Sequence, residues 1–182
     1  MEKEIQKISP SFHGHEIHHD QCFGCGHNNP LGLKADFTYN EKLNQVKFIY
    51  KFRKDYNGAP GFAHGGAIST LLDEAMGALC FHLGYIVMTD QMTFKFHKAT
   101  PIEEDLLVTS WFKSKEKRKI HLECRLTKLD ESLSYVDGYG SFHILPPRFF
   151  LRKIDGGKHP NLEGVLEENK RTRFEKLLKE IL

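Results

Sequence analysis

The stretch Tyr56-Asn-Gly-Ala-Pro-Gly-Phe-Ala-His64-Gly65-Gly66-Ala-Ile-Ser-Thr-Leu-Leu-Asp73-Glu74-Ala-Met-Gly77 constrains this chain more than any other. A loop rich in proline and glycine ends in a His-Gly-Gly turn, and an apolar helix follows. Ile68, Leu71, Leu72, Ala75, Met76, Leu79 and Cys80 recur at helical spacing and form one wide apolar face. The predicted helix runs from Gly65 or Gly66 to Phe81 or His82, and Gly84 is placed to end it. A face that wide must be covered by something else in the chain.

The cover is supplied by runs of period two. Gln45–Phe52 sets Val46, Phe48, Tyr50 and Phe52 against Lys47 and Lys51. Ile120–Leu126 sets Ile120, Leu122, Cys124 and Leu126 against His121, Glu123 and Arg125. Leu33–Tyr39, Ile86–Phe96, Leu106–Phe112 and Tyr135–Leu145 complete the predicted strands. Asn40–Asn44 reads as a hairpin turn and Lys113–Lys119 as a basic turn. Gly138 and Gly140 share a core-facing side with Val136, Phe142 and Ile144, which predicts a helix lying close to the sheet there. Two strands, one buried helix and four strands make an α+β fold, an antiparallel sheet covering one helix.

Three segments are expected. Residues 1–21 are polar and His-rich, with His13, His15, His18 and His19. Residues 22–146 hold the strands and the buried helix. After Pro146-Pro147, residues 147–182 form a linker and a C-terminal amphipathic helix over Val165–Leu182. The length of 182 residues suits one domain with appendages. A formal charge of +2 is too small to argue for nucleic acid. No apolar run reaches the roughly 20 residues of a membrane span, and the start lacks a signal core. A cytoplasmic protein is expected, with Cys80 and Cys124 as reduced core thiols.

Cys22-x-x-Cys25, close to His18, His19 and His27, has zinc-ligand character. No second Cys-x-x-Cys exists, so the expectation is no metal. A Cys80 nucleophile with His82 is also rejected, because residues two apart on a helix do not face each other.

Cys22-Phe-Gly-Cys25-Gly…Asn29-Pro30-Leu-Gly32-Leu, followed by Gly61-Phe-Ala-His64-Gly65-Gly66 and Asp73-Glu-Ala-Met-Gly77, resembles the hotdog-fold acyl-CoA thioesterases of the PaaI-like type. Met92-Thr-Phe-Lys-Phe…Pro101 resembles the strand after that family's helix. The resemblance covers roughly Cys22 to Leu145. It implies a curved antiparallel sheet wrapped around one long central helix, dimers with a shared sheet and, in some members, homotetramers. It also implies thioester hydrolysis, with backbone amides at the helix start holding the carbonyl oxygen and an acidic residue as nucleophile or general base. The expected reaction uses no cofactor; coenzyme A is part of the substrate.

The chemistry is consistent with the residues. The first amides of a helix are unpaired donors at the positive end of its dipole. Gly65 and Gly66 let a ligand approach them, and His64 stands at the lip. Asp73 is the candidate catalytic carboxylate. Asn57 is the candidate to orient water or the thioester, and Thr89 is a candidate substrate contact. The Lys113–Lys119 cluster is a candidate for the phosphates of coenzyme A. Asp73 is eight residues past Gly65, about 12 Å along the axis, too far for both to serve one carbonyl. Two antiparallel helices in a two-fold dimer would bring one Gly65 to the other Asp73. The alternative is a non-catalytic hotdog module that binds acyl-CoA or lipid, with the C-terminal helix serving a partner.

Overall fold

The computed structural model describes residues 21–40 and 42–145, together with the backbone of a short strand, β1, at Gln6–Lys7. The remaining strands are β2 (Thr38–Asn40), β3 (Gln45–Tyr50), β4 (Val87–Phe96), β5 (Leu106–Glu116), β6 (Lys119–Lys128) and β7 (Ser134–Ile144). Among the described residues one α-helix, α1, spans Gly65–His82. The predicted C-terminal helix lies outside the described residues.

The strands form one antiparallel sheet of seven, in the order β1-β2-β3-β5-β6-β7-β4. α1 joins β3 to β4. Because β4 lies at the far edge, the chain must cross the sheet between them, and it does so as α1. The helix touches β3, β5, β6, β7 and β4 on the way. This is the expected hotdog fold.

The apolar stripe of α1 is buried as its periodicity predicts: Ile68, Leu71, Leu72, Ala75, Met76, Leu79 and Cys80 are all in the core. Phe48, Val108, Leu122, Leu126, Val136 and Phe142 join them from the sheet. Each large apolar side chain so buried contributes about 1.5–3 kcal/mol. The buried Ser110 hydroxyl donates to the Ala75 carbonyl at 2.9 Å, which ties β5 to the helix without leaving a polar atom stranded. Gly140 confirms the close approach: a Cβ there would lie 2.9 Å from the Met76 sulfur and 2.6 Å from the Phe142 ring. Gly138 makes room instead for Cys124 and Phe94 of the neighbouring strands.

Three expectations need correction. Leu33–Tyr39 is strand only from Thr38. Leu33, Ala35 and Phe37 still point inward, but Leu33 N–H donates to Phe23 and Ala35 N–H to Gly24, so the backbone pairs with the cysteine loop rather than with the sheet. β3 stops at Tyr50, although Phe52 is fully buried beyond it. The basic segment Lys113–Lys119 is mostly strand: Glu116 pairs with Lys119, leaving Lys117-Arg118 as the turn. Among the described residues, no helix is long and apolar enough to cross a membrane.

β4 pairs along one side with β7, and Met88 and Phe96 of β4 are about half exposed. On β6 and β7 the outer face carries polar side chains, among them Glu123, Arg125 and Asp137. Asp137 of β7 accepts from Arg125 Nε at 2.7 Å and Ser134 Oγ at 2.9 Å, and its other oxygen lies 2.9 Å from His97 Nε2. Partial burial pushes the Asp137 carboxyl up, but its hydrogen bonds to Arg125, His97 and Ser134 prevail and hold it below the usual carboxylate range.

Two outcomes follow from this packing. Gly140→Ala is expected to lower stability by about 1–3 kcal/mol, measured as a lower urea midpoint with unchanged slope. A carboxyl with a depressed folded pKa stabilises fully above its unfolded value of about 3.9 and loses that contribution as pH falls through the folded value. Asp137→Asn is therefore expected to flatten the acid limb of the stability profile below about pH 4, measured by thermal unfolding across pH.

Candidate active site

The loop before α1 is built as a small clamp. A 3-10 turn at Lys54–Tyr56 precedes it. The buried Tyr56 hydroxyl donates to the Gly32 carbonyl and accepts from Arg53 Nη2 at 2.6 Å. Beyond Tyr56 the chain doubles back: Asn57 bridges Ala63, and Gly58 N–H donates to Phe62 at 2.8 Å. Gly61, with φ of 84°, makes the reversal possible. Ala63 N–H donates to Thr100 and His64 N–H to Tyr56, both at 2.8 Å. His64 is thus held through its backbone, with Asn57 exposed on the same loop.

His64 is the N-cap of α1. Its Nδ1 accepts from Gly66 N–H at 2.9 Å, so Nδ1 carries no hydrogen and the ring hydrogen is on Nε2. This narrows the expected pair of oxyanion donors. The Gly66 amide is engaged by the chain's own imidazole, whereas the Gly65 amide donates to no group among the described residues. The Ser69 and Thr70 hydroxyls turn back to the carbonyls of Gly65 and Gly66. No acidic residue lies in the first turn, so the positive end of the helix dipole is not offset there.

Asp73 lies two turns further on, half-buried. Its Oδ1 accepts from the Thr89 hydroxyl at 2.9 Å. Thr89 stands next to a register shift in the β4–β7 ladder, between Thr89 and Gln91. There Asp90 turns away to Lys119 at 2.8 Å and Ser141 at 3.0 Å. A Cβ at Gly77, one turn past Asp73, would meet nothing within 4 Å. The fold therefore brings Asp73 and Thr89 together, and separately gathers Asn57, His64, Gly65 and Gly66. It does not join the two groups within one chain.

The thiols nearby are unsuited to attack. Burial and the Asp73 charge push the Cys80 thiol up. Burial, with the charges of Asp137, Asp73 and Glu123, pushes Cys124 up to about 12. The basic cluster is partly neutralised: Lys113 pairs with Glu123, and Lys119 with Asp90.

Glu74 points elsewhere, toward the cysteine loop, with its carboxylate 3.8 and 4.0 Å from Cys22 Sγ. A hydrogen bond with Cys22, burial and the Glu74 charge hold the Cys25 thiol well above its ordinary range. That is the reverse of the lowered pKa of a redox Cys-x-x-Cys. Sequence reasoning missed this contact. Gly24 was the available signal, since a Cβ there would lie 2.2 Å from a Glu74 oxygen.

Residues 60–135 match the family model of the thioesterase superfamily. The chain is similar to the acyl-coenzyme A thioesterase THEM4 of Rattus norvegicus, 30% identical over 117 residues, covering 64% of this chain and 50% of that protein. The chain thus spans about half the length of the curated relatives it matches. A solved thioesterase superfamily protein, RHA08564, superposes with a TM-score of 0.61 at 28% identity, over 64% of this chain and 60% of the other. The PaaI protein of the E. coli phenylacetic acid degradation operon shares the fold, with a TM-score of 0.52 at 15% identity over 56% of this chain and 73% of its own.

His64→Ala removes the cap and is expected to cost about 1 kcal/mol of stability, read from urea unfolding. His64→Asn, which can cap through its side-chain oxygen, is expected to recover most of that loss.

Proposed function

We propose that this chain hydrolyses an acyl thioester of coenzyme A to the free acid and coenzyme A, without a cofactor. The Gly65 amide polarises the thioester carbonyl, and Asp73 either takes the proton of the attacking water or attacks the carbonyl itself. Thr89 holds the Asp73 carboxylate in place, and Asn57 and His64 border the carbonyl. In the general-base form, water oxygen bonds to the carbonyl carbon, the carbon–sulfur bond breaks, and the thiolate leaves and gains a proton.

The observation that carries this reading is the pairing of a half-buried helix carboxylate, Asp73, with a β4 hydroxyl, on the helix whose N-terminal Gly65 amide has no partner among the described residues. The similarity to a relative named an acyl-coenzyme A thioesterase supports it. Gly65 and Asp73 are about 12 Å apart along α1, so the working site takes Gly65 from one protomer and Asp73 from its partner. The β4 edge, with its exposed Met88 and Phe96, is where the two sheets would join. Dimers of dimers are compatible with this arrangement. The buried thiols Cys80 and Cys124, not joined in a disulfide, support a reducing, cytoplasmic location.

A second reading is a hotdog module that binds acyl-CoA or lipid without turnover. It is favoured by one observation: His64 already occupies the Gly66 amide, so one open donor is left where two were expected.

A panel of acyl-CoA substrates separates these readings. Asp73→Asn is expected to lower kcat/KM by at least about 100-fold, with unchanged thermal unfolding. Equal rates in wild type and Asp73→Asn, or coenzyme A ester binding without hydrolysis, would defeat the enzymatic reading. Mixing Asp73→Ala with Gly65→Val subunits should restore about a quarter of wild-type activity, because half the dimers are mixed and each carries one intact site. No recovery in verified heterodimers would exclude shared sites.

A further inference from the structure

The Cys22–Cys25 loop and the middle of α1 meet at a second cluster, on a helix position adjacent to Asp73 but facing away from it. The Sγ atoms of Cys22 and Cys25 and a carboxylate oxygen of Glu74 all lie within 4.8 Å of one another. Among the described residues this is the one group of three such side chains so arranged. We propose that Cys22, Cys25 and Glu74 are ligands of a zinc ion that fastens the N-terminal loop to α1.

Geometry is the first argument. With zinc–sulfur near 2.3 Å and zinc–oxygen near 2.1 Å, tetrahedral coordination sets sulfur and oxygen about 3.6 Å apart. The Glu74 oxygens lie 3.8 and 4.0 Å from Cys22 Sγ, a few tenths longer. With all three ligand atoms within 4.8 Å of one another, shifts of at most about 1 Å would let them surround one ion.

The loop is also shaped for this contact. Gly26 N–H donates to Cys22 at 3.0 Å, which closes the turn carrying both thiols. Leu33 N–H to Phe23 and Ala35 N–H to Gly24 clamp the loop from behind, at 2.8 and 3.0 Å. Gly24 stands where any side chain would collide with the Glu74 carboxylate. Cys25 is buried, and Cys22 and Glu74 are half-buried.

Donor chemistry completes the case. Two thiolates and a carboxylate suit a borderline-soft cation, and binding releases the two thiol protons to solvent. A disulfide would explain the two cysteines but not the carboxylate set between them and the helix. The fourth position goes to water.

The test is metal analysis of the untagged 182-residue chain, expressed with zinc and dialysed to remove loose metal. About one zinc per chain is expected, together with a thiolate-to-cobalt charge-transfer band after cobalt exchange. Cys22→Ser should abolish both. Glu74→Gln, which keeps the side-chain shape, should weaken zinc at least about tenfold in competition with a chromophoric chelator. Asp73→Asn should leave zinc content unchanged. Cys25 is buried and its replacement risks the fold, so the half-buried Cys22 and Glu74 carry the test. Three results would overturn the proposal: a metal-free wild type, a Cys22–Cys25 disulfide in protein purified without reductant, or full zinc retention by Cys22→Ser. The last would assign binding to the His-rich segment.

Discussion

The structure depends on the burial of one helical stripe. Seven apolar side chains of α1 are removed from water by strands that come from both before and after the helix in the chain. Because α1 must carry the chain from β3 to the far edge strand β4, it lies across the sheet rather than beside it. The candidate amide and the candidate carboxylate are then both placed along this one rod. Its start displays the Gly65 amide, and its middle displays two carboxylates.

Those carboxylates show how a helix assigns separate roles to neighbours. Asp73 and Glu74 are about 100° apart around the axis. Asp73 turns to β4 and meets Thr89, whereas Glu74 turns to the cysteine loop and meets Cys22. The same rod is why the proposed function divides the chemistry between protomers. A rise of about 1.5 Å per residue keeps Gly65 and Asp73 apart.

Much of the fold was legible because two short-range periods carry it. The seven-residue stripe of α1 matches its spacing residue for residue, and the alternation of Ile120–Leu126 survives inside β6. What was misread concerns backbone partners. Leu33–Phe37 alternates like a strand and buries like one, but the loop at Phe23 and Gly24 takes its hydrogen bonds. Lys113–Lys119 reads as a turn by charge, yet Lys113 and Lys115 lie in β5, because the other strand face is free to carry cations. Of the candidate site, Asn57, His64, Gly65 and Gly66 are neighbours in sequence and were legible as a unit. The cap from His64 to Gly66 was not, since residue type leaves the direction of the imidazole open.

The sequence by itself determined the fold class, the start of the helix and the distance between its first amide and its carboxylate. Helical rise and side-chain period are local properties, set by residues within a few turns of each other. Only the tertiary structure decided which carboxylate meets which partner. Asp73 and Thr89 are 16 positions apart, and Cys22 and Glu74 are 52. Contacts of that span depend on strand order and on how the loops close over the helix, which no local pattern encodes.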